Sequence, residues 1–160
     1  MFKTRMLQTS DVTVPDDENN HGRPIIQLQS RDLEGRFVRW HAENGDQTFR
    51  RPGLRLLDDR KIKFEKDGYF FVSTKLAFNA SDQGIIRAQF TVMVKEETDK
   101  YFKPFCEQNE TLSNQYGGRY VSDCNFVHHF TSGSLIYVQL DHVEGMQKND
   151  GKIMIFYLGL

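Results

Sequence analysis

Histidines, cysteines and paired carboxylates are the first places to look for chemistry in this sequence of 160 residues. His128 and His129 are adjacent, so on a strand they point to opposite faces. They cannot both ligate one ion without a bulge, and His41 or His142 would join one of them only by an accident of folding. A cysteine nucleophile with a histidine base could be read from Cys124 and His128. Four positions along a strand span about 13 Å, however, far beyond hydrogen-bond reach. The carboxylates of Asp58-Asp59 and Asp16-Asp17-Glu18 read as solvated turn and tail charges rather than as acid–base pairs. No glycine-rich phosphate loop or nucleotide fingerprint is present. These residues predict no catalytic site, no metal and no cofactor, and hence a protein that is not an enzyme.

Other groups offer binding rather than catalysis. Arg31, Arg36, Arg39, Arg50, Arg51, Arg55 and Arg60 crowd the first third of the chain. They are either solvent-facing positions or a polar edge for a partner, since arginine is enriched at interfaces. Cys106 and Cys124 lie 18 positions apart. Paired, they would close a loop worth about 3 kcal/mol in the chain-entropy model; unpaired, they would be buried thiols of a reducing compartment. Asn79-Ala80-Ser81 and Asn109-Glu110-Thr111 fit the N-glycosylation acceptor pattern. A net charge of −1 gives no bulk electrostatic case for nucleic acid or an anionic membrane. No apolar run approaches the length of a membrane span, and no signal peptide opens the chain. The protein is therefore expected to be cytosolic or an excised ectodomain.

The elements that must hold these residues are strands. Thirteen Phe and six Tyr give a heavy aromatic load, and helical periodicity nowhere persists beyond a turn. Residues 1–23 are polar and aperiodic and read as a flexible tail or stalk remnant, leaving residues 24–160 as the domain. The centre of that domain is the stretch from Asp67 to Phe78, opened by an Asp-Gly turn. Tyr69, Phe71 and Ser73 fall on one face of its strand, and Phe70, Val72, Thr74 and Leu76 on the other. A strand apolar on both sides needs cover on both sides. One cover is an opposing sheet, and the other must be something else, such as a second copy of the chain. Further strands are expected over 25–29, 36–41, 54–57, 61–64, 86–95, 120–130, 135–140 and 152–160. Residues 30–35 are expected to form a charged loop, and Pro104 argues against a central strand in 98–116. Among 120–130 the even positions Tyr120, Cys124, Phe126 and Phe130 should face inward. Many short strands at this spacing predict an all-β antiparallel sandwich or jelly roll.

Four stretches in register resemble the tumour necrosis factor ligand family. Gly68-Tyr69-Phe70-Phe71-Val72-Ser73-Thr74-Lys75-Leu76 is similar to its Gly-Leu-Tyr-Phe-Val-Tyr-Ser-Gln-Val strand. Gly133-Ser134-Leu135-Ile136-Tyr137-Val138-Gln139-Leu140-Asp141 is similar to its Gly-Asp-x-Leu-Tyr-Val-Asn-Val-Ser. The run Met154 through Leu160 resembles its terminal Phe-Phe-Gly-Leu-Phe-Lys-Leu, and Gln27-Leu28 with Trp40 stand where it carries His-Leu and a tryptophan. The sequence departs from the pattern at Ser73, which replaces a central tyrosine, at Ser134, which replaces an acidic residue, and at Phe156, which replaces a glycine. Cys106 and Cys124 do not align with the family's loop disulfide.

The resemblance implies a ten-strand, two-sheet jelly roll that forms a homotrimer and engages TNF-receptor-type cell-surface receptors between protomers. It implies a cytokine-like extracellular ligand, secreted or released from a type II membrane precursor. It assigns Phe71, Ser73, Tyr137, Met154, Leu158 and Leu160 to the trimer interface. The loops 30–35 and 96–101 become candidate receptor-contact regions, with Arg31, Arg36, Lys100 and Tyr101 as candidate receptor contacts in or beside them. A second reading is the related complement-type globular head, a binding module for surfaces or glycans. That class is usually preceded by a Gly-x-y segment, which residues 1–23 do not show. A third is an enzyme or lectin on a monomeric jelly roll, with a pocket near His128 or His142.

Overall fold

The computed structural model describes residues 25–42, 53–113 and 118–160. The expected tail and the Asn44-Gly45-Asp46 turn lie outside the described residues. Every regular element described is a strand: β1 (Ile25–Glu34), β2 (Phe37–Ala42), β3 (Leu54–Leu57), β4 (Lys61–Phe64) and β5 (Gly68–Asn79). The second half supplies β6 (Ile85–Lys95), β7 (Lys103–Ser113), β8 (Arg119–Phe130), β9 (Leu135–Leu140) and β10 (Lys152–Gly159). All ten pair antiparallel in one sheet.

The pairing divides into two runs, β2-β1-β10-β5-β8 and β3-β4-β9-β6-β7, joined between β2 and β9 by the single pair Phe37–Gln139. Their buried faces share one core. Phe64 of β4 stacks on Phe130 of β8 at 3.9 Å between ring centroids, and it meets Phe70 of β5 edge-on at 4.9 Å. Phe78 of β5 stacks against Phe90 of β6 at 6.4 Å. Aromatic pairs in such arrangements add to the area they bury.

Local chemistry explains the strand ends. Gly68 opens β5 with φ at +148°, and a Cβ there would strike the Tyr157 ring and crowd the Gly159 carbonyl. Asp58 and Asp59 both adopt positive φ in the β3–β4 reversal, a conformation short polar side chains tolerate. Pro104 sits on β7, which pairs only with β6 and so has a free edge that tolerates a missing N–H.

The charged loop expected over 30–35 is instead strand. β1 runs on to Glu34, bulges between Ser30 and Asp32, and turns at Gly35, whose φ is +62°. Charge in this hairpin is matched across the ladder rather than given to solvent. Arg39 Nε and Nη2 donate to the two carboxylate oxygens of Asp32 at 2.7 and 2.8 Å. Arg31 Nη1 donates to Asp59 at 3.2 Å.

Cys106 of β7 and Cys124 of β8 form a disulfide with Cα atoms 6.1 Å apart. It ties the free-edged strand of one run to the edge strand of the other. Cys124 points inward, as do Tyr120, Phe126 and Phe130.

Candidate functional site

The middle strands of the run β2-β1-β10-β5-β8 keep apolar side chains on the face turned away from the core. On β5, Phe70, Val72, Thr74 and Leu76 are buried, while Tyr69, Phe71, Ser73 and Lys75 occupy the outward positions. Register then aligns the neighbours. Ile25 lies opposite Phe156, Phe156 opposite Phe71, and Phe71 opposite Val127, giving an unbroken apolar line across β1, β10, β5 and β8. The Phe71 and Phe156 rings stack with centroids 6.2 Å apart and planes 8° from parallel. Val127 is 56% exposed and Leu158, in the bulge of β10, is 50% exposed.

The face changes character along the strands. The next line, Gln27–Met154–Ser73–Asn125, is mixed, and the one after it, Gln29–Lys152–Lys75–Asp123, is polar. In the other direction Tyr69 pairs with His129 on one side and Gly159 on the other, with the Tyr69 and His129 rings edge-on at 4.9 Å. Apolar surface is thus concentrated at the Phe71 end and gives way to charge at the Lys75 end. Ile25, Phe71 and Phe156 are part-buried and Val127 is exposed, so the line is only partly withdrawn from water within one chain.

Phe71, Ser73 and Met154 share this face, and Leu158 and Leu160 lie beside it at the end of the chain's last strand. Ser73, the shortest side chain there, is 6% exposed. Tyr137 is elsewhere. It stands on β9 of the other run, between Phe37 at 5.1 Å and Phe102 at 4.6 Å, and its withdrawal from water pushes the phenol pKa up. Ile25, Tyr69, Val127 and Phe156 also line the face and were not singled out as interface residues. Alternation would have found Val127, the odd position between inward-facing Phe126 and His128. Phe156 registered only as a departure from a glycine.

Of the four candidate receptor contacts, Arg31 is engaged with Asp59 and Arg36 donates to the carbonyls of Leu140 and Asp141 at 3.1 and 2.7 Å. Lys100 and Tyr101 lie in the β6–β7 connection, where Tyr101 is 75% exposed. Since Lys95 pairs with Leu135, that connection leaves from the Leu135 end of β9, whereas Arg36 holds the Leu140 end. Asn79 and Asn109 are both exposed, at the end of β5 and along β7.

Histidine placement follows the strand pleat. His128 turns inward between Phe105 and Phe130, with Nε2 2.7 Å from Glu96 Oε2, while His129 turns outward. Among the described residues no three His, Cys, Asp or Glu side chains group closely enough to hold a metal ion. No family model matches the sequence, and no curated protein matches it.

Proposed function

We propose that this domain is a trimeric ligand of the tumour necrosis factor kind, which acts by binding and clustering TNF-receptor-type cell-surface receptors. The observation that carries the reading is the outward apolar line Ile25–Phe156–Phe71–Val127, whose strands β1, β5 and β10 carry stretches that resemble that family. Two runs of five strands around one core are consistent with a jelly-roll sandwich. A rotation that closes after three copies buries such a patch on every protomer and leaves no sticky end, which an open-ended contact would not. Its partner is therefore a second copy of the same chain. The Cys106–Cys124 bond supports an oxidising, extracellular setting.

The test is absolute mass by light scattering on a size-exclusion column, at micromolar and nanomolar protein. A mass of three times 18.7 kDa that persists on dilution is the expected result. A monomer at both concentrations would overturn the assembly and, with it, the ligand reading.

A further inference from the structure

Where β2 meets β9, at the seam of the two runs, the outward face carries a second feature, separate from the apolar line. Phe37, Phe102 and Tyr137 wall a cleft of about 210 Å³, closed at its sides by Arg60 and Lys61. Phe37 and Phe102 each meet Tyr137 edge-on. The Arg60 guanidinium lies 5.2 Å from the Phe37 ring centre and Lys61 Nζ lies 5.8 Å from that of Phe102. The cleft thus combines an apolar slot with two cations at its mouth.

Positive charge extends beyond it. Lys61 and Lys63 take the outward positions of β4, because Ile62 and Phe64 are buried, and Lys95 takes the same position on β6 across from Leu135. Among the described residues none of Lys61, Lys63 and Lys95 stands in an ion pair, whereas Arg55 and Arg60 have Glu65 and Glu34. Three ammonium groups unmatched by neighbouring carboxylates, beside an aromatic slot, are complementary to an anion with an apolar body.

We propose that this cleft docks an acidic segment of a partner protein, one apolar side chain entering between Phe37, Phe102 and Tyr137 while flanking carboxylates meet Lys61 and Lys63. A sulfated polysaccharide would satisfy the cations and leave the aromatic slot empty. The slot is what selects a peptide. The site belongs to one protomer's own strands and rests on no part of the trimer reading.

The probe is the capped tripeptide Glu-Leu-Glu, titrated into the labelled protein and followed by the aromatic resonances of Phe37, Phe102 and Tyr137. Saturable shifts with a dissociation constant on the order of millimolar are expected, as suits a single anchor with two charges. Capped Gln-Leu-Gln should bind several-fold more weakly. Lys61→Glu and Lys63→Glu, both surface changes, should each weaken binding about fivefold, the scale of one partly exposed ion pair. Phe71→Asp should leave the titration unchanged, which separates this site from assembly. The inference is overturned by an absence of shifts at about ten times the expected constant. It also fails if Gln-Leu-Gln binds equally well, if binding is indifferent to Lys61→Glu and Lys63→Glu, or if a sulfated disaccharide binds more tightly than the acidic peptide.

Discussion

Outward positions on the run β2-β1-β10-β5-β8 include the line Ile25, Phe156, Phe71 and Val127, toward one end of the strands. On the run β3-β4-β9-β6-β7 they are Lys61, Lys63, Thr91, Met93 and Lys95, with Tyr137 between the strands. Both runs bury their inward faces in the same core, so core packing alone cannot explain the difference. A half-solvated antiparallel strand needs only one apolar face, and β6 satisfies that with Ile86, Ala88, Phe90, Val92 and Val94. Among the described residues, no strand packs over the second face of β5 and β10. What separates the two regions is the surface each presents: an apolar line on one, and lysines beside an aromatic cleft on the other.

The comparison breaks most visibly at Phe156 and Phe71. Phe156→Asp or Phe71→Asp should convert the proposed trimer to a folded monomer, with mass read by light scattering and folding by circular dichroism. Lys63→Asp, at mid-strand on the other run, should leave the mass unchanged. A Phe71→Asp variant that stays trimeric and folded would remove this face from the interface.

Next in size is the link between the runs. Replacing both Cys106 and Cys124 by Ser should lower stability by about 3 kcal/mol in denaturant unfolding, through loop-closure entropy. A smaller gain is expected inside the first run. The Thr74 hydroxyl is fully buried and has no hydrogen-bond partner among the described residues. Thr74→Val should therefore raise stability by about 1 kcal/mol, since it removes a desolvated polar group and keeps the shape.

The smallest effect is at the β1–β2 hairpin. The hydrogen bonds from Arg39 hold the Asp32 carboxyl below the usual carboxylate range. A lowered folded-state pKa contributes stability above the unfolded value, about 4, and that contribution is lost as pH falls through the folded value. Asp32→Asn should thus destabilise slightly at pH 7, and the gap from the native sequence should close in acid. A gap that widened on acidification would contradict the assignment.

The departures from sequence expectation have physical causes. Residues 30–35 look like a loop because five of the six are charged, polar or glycine, yet Asp32 and Arg31 find partners on β2 and in the β3–β4 reversal. A charged residue in a strand costs little when the neighbouring ladder supplies its counter-ion, and that neighbour is invisible to a local reading. Tyr137 was grouped with Phe71 by resemblance. Its strand proves to belong to the other run, where Phe37 and Phe102 receive it.

Periodicity by itself missed β7 and the second half of β1, but it determined the all-β class, which residues of β5, β6 and β8 face inward, and that β5 is apolar on both sides. Those are consequences of a two-residue repeat, which needs no knowledge of neighbours. The tertiary structure alone decided that Ile25, Phe156, Phe71 and Val127 form one line, that Cys106 reaches Cys124, and that Lys61 stands beside Phe102. Each of these depends on the order and register of strands distant in sequence, and register is set by the packing of the whole core rather than by any one strand's pattern.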